Sequence, residues 1–194
     1  MALNVAMLTF WTQGYEGTAM SDLTAAMGMS APSVYAAFGD KETLFQKVVE
    51  RYMAGPGAYM QAALDQRTTE ALARTFLHSA VEAVAGDDTP HGCLVTQSAL
   101  AVNPRSVSVQ KYLTALRENG VKALTDRLQS FANAGDLPPG SDPSALARLL
   151  VTVVQGLSIQ AASGAPREEL HTVADQMMLW WPRRADSRID RQGC

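Results

Sequence analysis

The sequence predicts an all-α protein, and three observations carry that prediction. Apolar residues recur at helical spacing along most of the chain. No segment alternates apolar and polar residues as a half-buried strand does. Glycine-centred stops cut the periodic runs into helix-sized pieces. The expected architecture is a compact N-terminal set of four short helices followed by about five longer ones, about nine in all, without an internal repeat. The 194 residues are 47% hydrophobic and 18% charged, enough apolar content to bury a core and too much for disorder.

The elements follow in order. Leu3, Met7, Phe10 and Trp11 share a helical face, and Gly14 ends that helix. Ser21 can cap a short second helix carrying Leu23, Ala26 and Met27, which Gly28 stops. Ser30 caps a third, with Pro32 allowed in its first turn and Val34 and Phe38 on one face, ending at Gly39. Asp40 caps a fourth bearing Leu44, Val48 and Tyr52. After the GPG turn (55–57) the helices lengthen. Leu72, Phe76, Ala80 and Val84 mark one, and residues 93–102 another, stopped before Asn103-Pro104. Val109, Leu113, Leu116, Gly120, Leu124, Leu128 and Phe131 form a long stripe closed by Gly135. Beyond the DLPPGSDP loop, Leu146, Leu149, Leu150, Val153 and Leu157 mark one helix, and Leu170, Val173, Met177 and Trp181 the last, before Pro182. The polar tail, 183–194, is expected to be mobile.

Composition excludes several classes. Two cysteines, Cys93 and Cys194, cannot build a disulfide scaffold or an all-cysteine zinc site. His78, His91 and His171 are too scattered for metal-ligand spacing, so neither a metal nor a cofactor is expected. No apolar run is read as approaching the ~18 residues of a membrane span, and MALNVAMLTFW lacks a basic leader, so a cytoplasmic protein is expected. A net charge of -3 excludes a globally basic nucleic-acid coat but leaves room for a local site. No Walker loop, G-x-G-x-x-G, H-E-x-x-H or Ser-His-Asp arrangement is found, and Asp87-Asp88 reads as a solvated loop pair, so no enzyme is expected.

The informative segment is 21–38, two short helices joined by a turn at Gly28–Ser30, which is helix-turn-helix spacing. With Leu23, Met27, Val34 and Phe38 turned inward, the second of these helices shows Ala31, Pro32, Ser33, Ala36 and Ala37, with Tyr35 at the side. So thin a face fits a major groove about 12 Å wide. A packed helical corner with no DNA role satisfies the same spacing. Lys41 bears on the choice. It lies in a first helical turn, where positive charge opposes the macrodipole by a few tenths to ~1 kcal/mol. A phosphate held by the ammonium and the helix N–H groups accounts for that placement. So does a solvated lysine paired with Glu42 or Asp40.

The stretch GYEGTAMSDLTAAMGMSAPSVYAAFGDKETLF (14–45) resembles the DNA-binding segment of the TetR family of transcriptional repressors, matching its pattern at Gly14, Tyr15, Thr18, Gly28, Ser30, Tyr35, Phe38, Lys41, Glu42 and Leu44. The resemblance implies a helix-turn-helix DNA-binding domain over 1–46 and a ligand-binding and dimerisation domain over 47–182. It implies a homodimer that represses transcription from a palindromic operator and is released by a small molecule. Thr18 would contact phosphate through its hydroxyl or N–H, and Ser30, Ala31, Pro32 and Ser33 would face the groove. Tyr35 and Lys41 would hold phosphate, and Val34 and Phe38 would be structural. Ala36 and Ala37 stand where other members often carry larger base-contacting side chains, so direct readout would be thin and DNA shape would contribute.

Residues 1–54 carry three basic and five acidic side chains, an unusual balance for a DNA reader. Family members commonly begin with a basic arm, and the expectation is that natural residues precede this first helix. Dimerisation is expected through the helices at 143–163 and 167–181, whose small residues Gly156, Ala161 and Ala162 permit close approach; closing the monomer core is the other use of those stripes. Candidate effector contacts are Tyr59, Phe76, His78, Gln97, Tyr112, Leu116, Gln155 and Trp180, though plain core or surface is the ordinary use of each such residue. Cys93, at a helix start near His91, reads either as a thiol sensor of electrophiles or oxidants or as a small buried apolar residue. Two rival readings remain: a helical small-molecule carrier, and a protein-interaction module using a degenerate helix-turn-helix.

Overall fold

The computed structural model describes residues 1–100, 103 and 106–183. Among these residues there is no strand, and ten helices follow one another: α1 Ala2–Gly17, α2 Met20–Met27, α3 Ala31–Phe38, α4 Lys41–Met53, α5 Tyr59–Leu64, α6 Thr69–Val84, α7 Leu94–Leu100, α8 Val107–Asn133, α9 Pro143–Ala162 and α10 Arg167–Leu179. The helix beyond the expected count is α5, whose six residues are too few to print a periodic stripe. The expected extension of α7 to Val102 and the tail 184–194 lie outside the described residues.

Local chemistry sets most of the helix ends. Gly14 takes φ 71°, ψ 171° and breaks α1, as its sequence position predicts, and one further turn carries Tyr15 into the core. At the head of α2 the sequence reading is corrected. The N-cap is Ala19, not Ser21, and the Asp22 carboxylate accepts the Ala19 N–H at 2.8 Å. Ser30, Asp40, Thr68 and Asp142 cap α3, α4, α6 and α9 through their side chains. Helix α10 stops at Leu179, two residues short of the expected end, and Trp180 follows as its C-cap.

Two apolar clusters organise the packing. The first joins Phe10, Trp11, Leu23, Val34, Leu44, Phe45, Val48 and Tyr52 to Val84, Leu94, Leu113 and Leu157. The second joins Leu72, Phe76, Leu124, Leu128, Leu150, Val154, Met178 and Trp181. Helix α1 lies against α2, α4 and α7, while α8 pairs with α9, and α6 with α9 and α10. The expected boundary at 46/47 therefore falls inside a continuous helix, α4, whose buried face belongs to a core shared with α6, α7, α8 and α9.

Helix α9 corrects a further expectation. Over an 18-residue window its mean hydropathy is 1.5, long and apolar enough by composition alone to cross a membrane. Only 33% of that window is buried within one chain, and Arg148 forms a two-point pair with Glu118 of α8 at 2.7 and 2.8 Å. Leu149 and, on α10, Val173 are exposed although they sit on apolar stripes, and Ile159 of α9 is exposed as well.

Candidate nucleic-acid interface and regulatory cavity

The turn between α2 and α3 is built by Gly28 (φ 63°), whose N–H bonds Ala25 O while the Met29 N–H reaches Thr24 O. That closure starts α3 at a fixed angle. The Ser30 hydroxyl accepts the Ser33 N–H at 3.3 Å and bonds the Ser33 hydroxyl at 2.8 Å. Val34 is fully buried. Ala31, Pro32, Ser33, Ala36 and Ala37 are exposed, as is Tyr35 at 51%. The small-residue face that the sequence predicts is thus the outer face of α3, with Phe38 half-buried at its end beneath the Lys47 ammonium.

The Asp40 carboxylate accepts the Thr43 N–H at 2.8 Å, which holds its carboxyl below the ordinary value. Lys41 is half-buried, with its ammonium 4.3 Å from the centroid of the Tyr15 ring. Partial burial lowers its pKa, against the favourable charges of Glu16 and Asp22. This cation–π contact was not foreseen in either sequence reading of Lys41. The signal was present in Tyr15, the aromatic after the Gly14 break. Thr18 is a correction: the residue is 1% exposed and its hydroxyl donates to Gly14 O at 2.7 Å, so that hydroxyl is unavailable to DNA. The Gly14 break leaves this carbonyl without its helical donor, and Thr18 supplies one.

The acidity of residues 1–54 has a structural use. Asp22 and Asp40 cap helices, Glu42 accepts the Ser108 hydroxyl at 2.6 Å, and Glu16 accepts the Asn103 N–H at 3.4 Å. Four of the five carboxylates are thereby tied to helix starts or to chain beyond residue 100.

A cavity of about 100 Å³ lies where α4–α9 meet. Of the expected effector contacts, Tyr59, Phe76, Cys93, Leu116 and Gln155 line it. The other four do not. His78 is outside, on the α6–α10 seam, its Nδ1 2.9 Å from His171 Nδ1 and its Nε2 3.2 Å from Asp175 Oδ1. The Gln97 amide donates to His91 O at 3.1 Å. Tyr112 packs against the first apolar cluster. Trp180, the C-cap of α10, is 84% exposed, whereas its neighbour Trp181, just past the helix, is 3% exposed and packs in the second apolar cluster.

Sequence reasoning missed Tyr52, Met53, Met60, Thr96, Arg117 and Val151 as cavity residues. Arg117 had a legible signal, since it stands four residues after Leu113 and three before Gly120, on the apolar stripe of α8. Burial, followed by the adjacent Cys93 thiol, pushes the Tyr52 phenol far above its ordinary pKa and raises Tyr59 as well. Among the described residues, no group of three or more His, Cys, Asp or Glu is placed to hold a metal.

The interface and the cavity are mechanically joined. Trp11 of α1 meets Tyr52 edge-on, centroids 4.8 Å apart at 89°, and its Nε1–H donates to Gly92 O at 3.0 Å beside Cys93. Helix α4 carries Lys41 at one end and Tyr52 in the cavity wall, about 17 Å along the axis. A separate groove between α9 and α10 is lined by Val153, Gly156, Gln160 and Val173, among others.

The profile of a family described as bacterial regulatory proteins, tetR family, matches residues 2–48. The chain is 32% identical to the HTH-type transcriptional repressor ComR of Escherichia coli K12 over 93% of this chain and 87% of ComR. A cysteine-substituted form of the TetR family regulator CifR, solved with a 26-base-pair double-stranded operator DNA, superposes with a TM-score of 0.88 at 37% identity, covering 93% of this chain and 95% of that one. A TetR regulator from Rhodococcus sp. RHA1 is 43% identical over 94% and 98% of the two chains, with a TM-score of 0.65.

Proposed function

This chain belongs to the TetR family of bacterial transcriptional regulators, and from that premise we propose that it is a repressor that binds a palindromic operator as a homodimer and leaves it when a small molecule occupies the cavity. The observation that carries the reading is the outer face of α3. Val34 anchors the helix from within, while Ser33, Tyr35 and four small neighbours stand exposed. Helix α3 enters the major groove, with Ser30, Ala31, Pro32, Ser33, Ala36 and Ala37 against base edges and Tyr35 and Lys41 on phosphate. Thr18 keeps only its backbone N–H as a phosphate donor. With so few polar groups at the bases, groove shape supplies much of the selectivity.

Dimerisation uses α9 and α10. A helix of membrane-like apolarity that is only one-third buried in its own chain needs a further partner, and a second copy provides it through Leu149, Ile159 and Val173. Two copies set the recognition helices for half-sites about 34–36 Å apart or a multiple of that spacing. Effector binding favours the conformer whose recognition helices mismatch that spacing, and α4 transmits the preference. The protein works by binding rather than catalysis, in the cytoplasm with its operator.

The test is fluorescence anisotropy with duplexes tiled across the protein's own promoter region, alongside sedimentation. A dimer that binds one palindromic duplex far more tightly than the others supports the proposal; a monomer with no preferred duplex refutes it. Replacing Val173 with Glu is expected to give monomers and remove operator binding together.

A further inference from the structure

Taking the ligand-responsive reading as its premise, we infer that the cavity is a site for a compact apolar monocarboxylate, whose acid group is held by Arg117 and Tyr52. The inference starts from two buried donors. Tyr52 lines the cavity and is 1% exposed, and its hydroxyl makes no well-formed hydrogen bond, although the Cys93 thiol and the Leu94 backbone lie beside it. Arg117 Nη1 is also buried without a partner, while its Nη2 donates to Thr114 Oγ1 at 3.1 Å. Native proteins satisfy most buried donors, and two orphans on residues that line one small cavity point to an acceptor that reaches them when the walls adjust.

The nature of that acceptor follows from charge. The phenol, kept neutral by burial, can donate its proton to a hydrogen bond. The guanidinium is permanently charged, and the carboxylate next to it in sequence, Glu118, is already engaged by Arg148. A carboxylate offers two oxygens and a compensating charge, where a neutral amide or alcohol offers the cation no charge. The other walls are apolar, among them Met60, Phe76, Leu116, Val151 and Val154, so the rest of the ligand is hydrocarbon. The volume of about 100 Å³ limits its size, since a cavity of about 150 Å³ accepts benzene. Arg117, Thr96 and Gln155 also face an adjoining pocket with Ala99 and Ile159, which places the cation where a charged group can enter. Occupancy reaches the DNA reader directly, because Tyr52 packs on Trp11.

The experiment titrates the purified dimer with butanoate and benzoate, and with butanamide and benzamide as neutral isosteres, at constant ionic strength, following melting temperature and heat of binding. At least one acid is expected to bind tenfold or more tightly than its amide. Arg117→Gln should erase that ratio, and Tyr52→Phe should weaken acid binding several-fold while leaving a preference for the acid. If Arg117→Gln does not fold, Arg117→Lys replaces it, and a reduced acid-to-amide ratio is expected. Equal binding of acid and amide, no binding of any probe, or a full acid preference without the guanidinium overturns the inference. Operator binding by the wild type without any acid tests the regulator reading separately. A protein that holds its operator yet shows no acid preference refutes the ligand class alone.

Discussion

The outer face of α3 and the walls of the cavity both present groups suited to a partner, but they do so under opposite conditions. On α3 the Ser30 and Ser33 hydroxyls bond each other in water's reach, and Tyr35 is half exposed. On two residues of the cavity wall, Tyr52 and Arg117, a phenol and a guanidinium nitrogen are buried without a well-formed hydrogen bond. An exposed donor that loses its ligand returns to water, so its removal changes affinity modestly. A buried donor has no such alternative, so it discriminates strongly among ligands. On the proposed reading the DNA reader depends on charge and shape, the effector site on desolvated hydrogen bonds.

The sharpest break in this comparison is at the residue that joins the two regions. Trp11 is fully buried, packs on Tyr52 and bonds the backbone beside Cys93. Trp11→Ala is expected to destabilise the fold by about 3–5 kcal/mol, read from urea unfolding. A loss near 1 kcal/mol would mean the regions are not joined there.

Next come the proposed phosphate contacts. Lys41→Ala should lower affinity for operator and unrelated duplex alike by about tenfold at low salt and reduce the slope of log K against log salt by about 1. Tyr35→Phe should act in the same direction with a smaller loss. Anisotropy across a salt series measures both, and loss confined to the operator would reassign these residues to base reading. Ser33→Ala should cost about 1 kcal/mol on the operator and leave unrelated DNA unchanged, which a randomised-duplex selection would reveal as an altered preference at one position.

The smallest effect concerns acid. Asp40 has its carboxyl held low by the Thr43 N–H. Its contribution is complete above the unfolded carboxyl value of about 3.9 and is lost as pH falls through the lower folded value. Asn caps helices about as well as Asp. Asp40→Asn should thus match the wild type near neutral pH and show a slightly shallower fall in melting temperature in acid. Identical acid limbs would remove Asp40 from the account.

Legibility in the sequence tracks how local each feature is. The glycine stops at 14, 28 and 39, the Ser30 and Asp40 caps, and the inward Val34 depend on residues a few positions apart, and all were readable. For Thr18 only the hydroxyl alternative fails, because that hydroxyl satisfies a carbonyl orphaned by a backbone break four residues earlier. His78 and Trp180 were misplaced although they lie off the stripes that Phe76 and Trp181 mark, and a stripe says only which face is covered, not by what. For the same reason Leu149 and Val173 were legible as apolar and not as surface.

From residue order alone came the all-helical class, the reader segment with its exposed small-residue face, and the likeness of residues 14–45 to a family of DNA readers. These rest on the 3.6-residue period and on backbone sterics, which act within one or two turns of chain. The cavity, the presence of both Arg117 and Tyr52 in its lining and the link through Trp11 were decided by tertiary structure. Each requires side chains from separate helices to lie within a few ångströms of one another, and packing alone sets those distances.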